Sequence, residues 1–266
     1  MSRPLVSVIL SAYNEERFLK DTIESILSQT MEDFEFIIVN DGSTDRTAEI
    51  IDNYKKLDNR IVIINNKNNI GLAKSLNAAI EKSSGRYLAR MDVGDLSHNQ
   101  RFEKQLKFLE ARGDIYILGT QGYWIDDKKQ IIGEWKMPLT VTDKELFDTG
   151  GAIHPSIMIR RELFDRIGLY DVNYEISLEF NLYMRTLKNG FGMANLPEAL
   201  IYIMERDRGM TLSNLRITQL NQFKLKAKYL SNFLSFWNTF YTLRSLVGLL
   251  MPLGILDQIV KYLRRK

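Results

Sequence analysis

At 266 residues and 45% apolar composition the chain can hold one large domain or two small ones around a real core, which excludes a disordered protein. Charged residues make up 26% and the formal net charge is only +3, so the composition predicts no nucleic acid partner. The absence of cysteine removes disulfides, thiolate zinc sites and cysteine nucleophiles and suits a reducing cytoplasm, while two histidines, His98 and His154, are too few for a multi-histidine metal centre.

The opening stretch MSRPLVSVILSAYNEE has an apolar run too short for a signal peptide, with acids soon after it, and reads as a strand. Val6 to Leu10, Glu35 to Val39 and Ile61 to Ile64 are short runs rich in Ile and Val, each followed by polar turn residues. Between them the spacing is helical: Phe18, Leu19, Ile23, Ile26 and Leu27 share one face of a helix from about Glu16 to Gln29. A second helix follows DGSTD, where Ser43 or Thr44 caps and Ala48, Ile50, Ile51 and Tyr54 give the stripe; a third runs from Leu72 to Lys82. Strands alternating with helices predict an α/β fold, with a mostly parallel, Rossmann-like sheet flanked by helices. GRYLARMD is then a buried fourth strand. Ligands of such sheets bind beyond the carboxyl ends of the strands, where Tyr13 to Glu15, Asn40 to Ser43 and Asp92 to Asp95 all fall.

Further along, Arg101 to Ala111 reads as a helix, Ile115 to Gly119 as a strand and WIDDKKQIIGEW as a hairpin around Asp126 to Lys129. Asp126 and Asp127 are ordinary turn acids there, and Trp124 and Trp135 are core or acceptor-platform residues. HPSIMIRRELFDRIGLYD predicts a strand from Ser156 and a short helix ended by Gly168; Leu178 to Lys188 has helical spacing. Past Leu215 come long helices rich in aromatics, and the charge changes sign. Nine Lys or Arg stand there against Asp257 alone, a net of +8 that leaves −5 for residues 1–214. The most apolar late run, Leu246 to Leu256, is 11 residues long, short of the roughly 20 that a spanning helix needs. Lys224, Lys226, Lys228 and Arg244 among the aromatics fit helices lying on an anionic bilayer, a helical cap or an oligomer interface being the alternative. The chain thus divides into a domain at 1–214 and a basic amphipathic extension at 215–266.

No G-x-G-x-x-G follows the first strand and no G-x-x-x-x-G-K-[ST] occurs, which disfavours dinucleotide enzymes and P-loop proteins. NDGSTD, Asn40 to Asp45, is by itself a turn with a helix cap. The order of motifs says more. VSVILSAYNEE, FEFIIVNDGSTDRT, NNIGLAKSLNAAIEKSSGRYLARMD and HPSIMIRREL together resemble the nucleotide-sugar glycosyltransferases of family 2, which have the GT-A fold, over roughly residues 4 to 210. The resemblance implies that Ala12, Tyr13, Glu15 and Asp41 hold the nucleotide base, usually uracil, that Lys74 lies near the nucleotide, and that Asp92 meets the ribose or a metal. A Glu-Asp pair at a helix start supplies the family's general base, for a single inverting displacement with a nucleoside diphosphate leaving.

The departures cluster. Where the family reads D-A-D-D or D-S-D-D this chain has Asp92-Val93-Gly94-Asp95, with Gly94 at the usual metal position; the Glu-Asp pair falls on Leu178-Glu179, making Glu179 the base; Arg206 stands where a histidine is expected. Three readings stay open: Asp95 takes over a Mg or Mn ion, Arg206, Arg208 or Lys74 neutralises the diphosphate without one, or the chain is a weakened relative that only binds nucleotide sugar. His154 is open between site and structure, and His98 reads as a solvated turn residue. The implied partners are a nucleotide-sugar donor, a glycan or lipid-linked acceptor and a membrane surface, with the protein cytoplasmic and peripheral at the inner face of the cell membrane.

Overall fold

The computed structural model describes residues 3–174, 176–205 and 212–251. Its strands are β1 (Val6–Ala12), β2 (Phe34–Asn40), β3 (Ile61–Asn65), β4 (Tyr87–Arg90), β5 (Leu96–Ser97), β6 (Ile115–Ile125), β7 (Ile131–Trp135), β8 (Thr140–Val141), β9 (Met158–Arg160) and β10 (Gly192–Met204). The helices are α1 (Leu19–Leu27), α2 (Thr47–Leu57), α3 (Leu72–Lys82), α4 (Arg101–Ala111), α5 (Asp143–Thr149), α6 (Glu162–Ile167), α7 (Leu178–Lys188), α8 (Leu212–Leu230) and α9 (Phe236–Leu250). One sheet carries them in the order β3-β2-β1-β4-β9-β6-β10-β5, with β7 on β6 and β8 on β10.

β1 and β2 are apolar along nearly their whole length because helices cover both faces of the sheet. Val8, Leu10 and Phe36 face α1, α2 and α4, whereas Ile9, Ile37 and Val39 face α3, α6 and α7. The alternation follows from the two-residue period of a strand. From β3 to β4 the pairing is parallel, as expected. Beyond β4 the sheet is mixed: β9 runs antiparallel between β4 and β6, β5, β7 and β8 pair antiparallel, and only β6 with β10 is parallel.

Three features depart from the sequence expectations. No strand begins at Ser156: His154–Ser156 is a 3-10 turn and β9 starts at Met158, since Pro155 has no N–H to give a ladder. β6 continues past Gly119 to Ile125, flanked there by β10 on one side and by β7 on the other. β10 has no counterpart among the elements read from the sequence; its pairing with β6 slips between Asn195 and Ala199, which takes Pro197 out of the ladder. The C-terminal extension is docked on the body, with Leu225, Tyr229 and Tyr241 in the same core as α3 and α7, and α8 already begins at Leu212.

Candidate active site

The ends of β1, β2 and β4 form one edge, and hydrogen bonds lace its loops together. Asn14, with φ +54°, accepts from the Thr44 amide at 2.8 Å and donates its own to Ser43 Oγ at 3.1 Å. The Glu15 amide donates to Thr47 Oγ1 at 2.8 Å, and the Glu16 amide to Asp45 at 3.1 Å. Glu15 is buried and Tyr13 is left exposed at the mouth. Asp41, also buried, accepts from Asn66 Nδ2 at 2.7 Å, from the Ile70 amide at 3.0 Å and from the Gly71 amide at 3.1 Å. It thereby holds the 66–71 loop across the end of β2. Gly42, at φ +73°, permits that crossing, because a Cβ there would lie 2.5 Å from the Asn68 carbonyl carbon. Ala12 closes β1 beneath these loops and Lys74 is exposed on the first turn of α3.

The turn after β4 is fixed from α1. Thr22 Oγ1 accepts from the Gly94 amide at 2.8 Å and donates to the Asp95 carbonyl at 2.9 Å. Gly94 sits at φ +95°, a conformation that side-chain-bearing residues rarely adopt. The metal carboxylate of the family pattern is thus absent together with a change in backbone. Asp95 is buried and its Oδ1 accepts from the Met204 amide at 3.1 Å, tying the turn to β10. Asp92 is 41% exposed and ion-paired with Nη1 of Arg90. Among the described residues no three of His, Cys, Asp or Glu gather where a metal ion could sit. Asp92 pairs with Arg90 and Asp95 holds the Met204 amide, and the chemistry below routes no step through an ion. Arg206 and Arg208 lie outside the described residues.

Arg90 is the residue that sequence reasoning missed. Its guanidinium is buried at the end of β4 and its Nε has no hydrogen-bond partner among the described residues. Arg101, itself buried, donates to the Arg90 carbonyl at 3.0 Å and the Pro155 carbonyl at 3.1 Å, locking this strand end against the 154–156 turn. The field of Arg90 reaches Glu179, His154, Tyr170 and Tyr183. Glu179 stands in the first turn of α7, after Ser177, whose left-handed φ of +74° turns the chain into the helix. Burial pushes its carboxyl above the ordinary carboxylate range and the charge of Asp92 adds to this, while its own backbone amide and Arg90 pull the other way. His154 is held well below the usual histidine range by burial and then by Arg90, so it is neutral, and its Nε2 lies 2.9 Å from the Tyr170 hydroxyl. Glu179 therefore lies within the electrostatic reach of the Arg90–Asp92 pair and of Tyr170 and Tyr183. A cation placed by a buried strand, in a sequence that otherwise spells core, is the signal that could have found Arg90.

Elsewhere the sequence-level candidates are structural: Asp126 Oδ1 accepts from the Lys128 and Gln130 amides in the hairpin turn, His98 Nδ1 accepts from the Gln100 amide, and Trp124 stacks on Trp135 at 4.7 Å.

Comparison with known proteins accords with this arrangement. The model of the family described as glycosyl transferase family 2 matches residues 7–168. An uncharacterized glycosyltransferase of Methanocaldococcus jannaschii is 34% identical over 253 residues, covering 91% of this chain and 87% of its own. Among solved structures, a mannosyltransferase of Pyrobaculum calidifontis in complex with GDP-Man and Mn2+ superposes with a TM-score of 0.67 at 18% identity, over 98% of this chain and 81% of that one. TarS of S. aureus, residues 1–349 in complex with UDP, gives 0.64 at 18% identity, over 88% and 73%. With its GT-A architecture, its motifs in order and a relative this similar along nearly its whole length, the chain belongs to glycosyl transferase family 2 and is a glycosyltransferase.

Proposed function

We propose that this glycosyltransferase works with inversion, moving a sugar from a nucleotide-sugar donor, a UDP-sugar first of all, to a glycan or lipid-linked saccharide in cell-surface polysaccharide or glycoconjugate synthesis. Tyr13, Glu15 and Asp41 frame the nucleotide, and Asp92 meets its ribose side. The acceptor hydroxyl attacks the anomeric carbon opposite the departing diphosphate; its proton passes to Glu179 as the bond to the diphosphate oxygen breaks. The nucleoside diphosphate leaves with the electron pair. Such a base contributes about 10²- to 10⁴-fold. The observation that carries the reading is Glu179 itself: a buried carboxyl with raised proton affinity, electrostatically coupled to Asp92 and to a buried arginine, accepts a proton more readily than an ordinary carboxylate. The extension at 215–266 serves a cytoplasmic membrane face, where a lipid-linked acceptor resides.

A panel of UDP-sugars and GDP-mannose, each with and without Mn, tests the donor, and NMR of the product reads the anomeric configuration. A product of inverted configuration from a UDP-sugar is expected; retention, or transfer from GDP-mannose alone, overturns the respective part. The second reading, a relative that binds nucleotide sugar without transferring it, is favoured by the altered Gly94 turn. It predicts calorimetric binding of UDP and no turnover of any donor.

A further inference from the structure

α9 is built inside out. Its protein-facing side is largely polar: beside Tyr241, Asn238 is fully buried and donates to Asp143 Oδ2 at 2.7 Å, Thr242 is buried, and Ser245 Oγ accepts from Lys226 Nζ at 3.0 Å. Its outward side carries Phe236, Phe240, Leu243, Val247 and Leu250, spaced four and three apart so that they form one ridge, with Trp237 beside it. Phe236 and Leu250, at its two ends, are 76% and 77% exposed, and Leu234 ahead of the helix is 76% exposed. An apolar stripe normally faces the core, so this one is made for something else.

Of the five basic residues described in this segment, Lys224 is exposed and the other four are engaged with the protein. Arg216 Nη2 donates to the Met251 carbonyl at 2.7 Å at the end of α9, Lys226 is buried, Arg244 pairs with Asp148 at 2.8 Å, and Lys228 Nζ lies 5.6 Å from the Tyr174 ring. The ridge itself is therefore aromatic and aliphatic. Fifteen residues follow Met251 in the sequence, and they close with KYLRRK, four bases in six positions against Asp257 alone. An apolar, aromatic helix face continued by a basic end is the combination that an anionic lipid surface accepts: rings and aliphatic groups enter the headgroup boundary while cations meet the lipid charge. No described helix is long and apolar enough to cross a membrane, so the contact is in the plane of the surface.

We infer that the outward ridge of α9, Phe236 to Leu250, is the lipid-docking surface of this protein, an inference that rests on the proposed membrane-face function and names the residues that perform it. The ridge is mechanically joined to the base. Asn221 of α8 donates to the Ile176 carbonyl at 3.2 Å, and Lys226 Nζ lies 5.9 Å from the Phe180 ring, so α8 grips the chain on both sides of Glu179. Docking through α9 thus sets the acceptor side of the site at a fixed orientation to the surface.

The test uses the full chain with vesicles of phosphatidylcholine, with and without phosphatidylglycerol, and no donor, so its failure leaves the reading of Glu179 standing. Cosedimentation with the anionic vesicles and a blue shift of Trp237 fluorescence are expected, the latter assigned by its loss in Trp237→Phe. The double variant Phe240→Ser/Leu243→Ser should lower vesicle binding by about tenfold or more. UDP binding in that variant should be unchanged, since only exposed side chains are altered. No vesicle binding, or binding that the double variant leaves intact, overturns the inference. So does a free-protein Trp237 already shielded from acrylamide, which would mean that the chain's own terminus covers the ridge. An oligomer in sedimentation that the double variant disperses would assign the ridge to a second copy instead.

Discussion

The nucleotide half and the acceptor half of this molecule are held together in different ways. Around β1 and β2 the site is made by short hydrogen bonds from backbone amides to side-chain oxygens between two loops, 13–16 and 43–47, each close in sequence to the strand that presents it. Around β4 and α7 it is made by side chains distant in sequence: Thr22 reaches the 94–95 turn, Arg101 reaches Pro155, and the Arg90 field reaches Glu179. The first arrangement spreads the geometry over several short polar side chains, Asn14, Ser43, Asp45 and Thr47, each accepting an amide of the facing loop, with Asp41 beside them. The second lets a few charged groups set one another's protonation, as a proton-transfer site requires.

Variants can break this contrast, and the largest effect belongs to Asp41→Ala. Removal of the buried carboxylate leaves the Ile70 amide without its acceptor and takes one of two acceptors from the Gly71 amide and from Asn66 Nδ2. A loss of about 3–5 kcal/mol in urea unfolding is expected, with UDP binding lost in calorimetry; retained binding would remove Asp41 from the nucleotide site. Next comes Gly94→Asp, which restores the carboxylate of the family pattern. At φ +95° it should cost about 1–3 kcal/mol in the same measurement, without creating Mn-dependent turnover. A stable variant that gains such turnover would show that the turn reshapes readily. Thr22→Val leaves the Gly94 amide unsatisfied and should cost about 1–2 kcal/mol.

Smaller still is a displacement along the pH axis. Arg90 lowers the proton affinity of Glu179, so Arg90→Met should raise it, and the acid limb of the pH–rate profile should move to higher pH. A limb that stays in place would detach Arg90 from the base. The same shift has a stability consequence. Burial raises the Glu179 pKa in the folded protein, so its contribution is fully present below the unfolded-state value and is lost as pH rises through the folded-state value.

Legibility in the sequence follows the same division. The elements from β1 to α3 could be read because each is a local periodic run bounded by turn residues, and the candidate nucleotide residues sit inside those turns. Arg90 is legible only as a cation in an otherwise apolar strand, and its role depends on Tyr170 and Glu179, some 80 to 90 positions away. β10 was hidden by Pro197, which only a register slip against β6 accommodates. α5 was missed although Thr142 and Glu145 form a capping box, a signal that was present in TDKE. Composition announced the basic extension but not its orientation, because the inward turn of Lys226 and Arg244 depends on partners in α9 and α5.

The account stands on Glu179 as the base rather than as a ligand of the nucleotide. Single-turnover transfer and UDP calorimetry on Glu179→Gln measure the two halves independently. The expected result is transfer reduced by about 10²- to 10⁴-fold with UDP affinity unchanged; undiminished transfer would contradict the assignment.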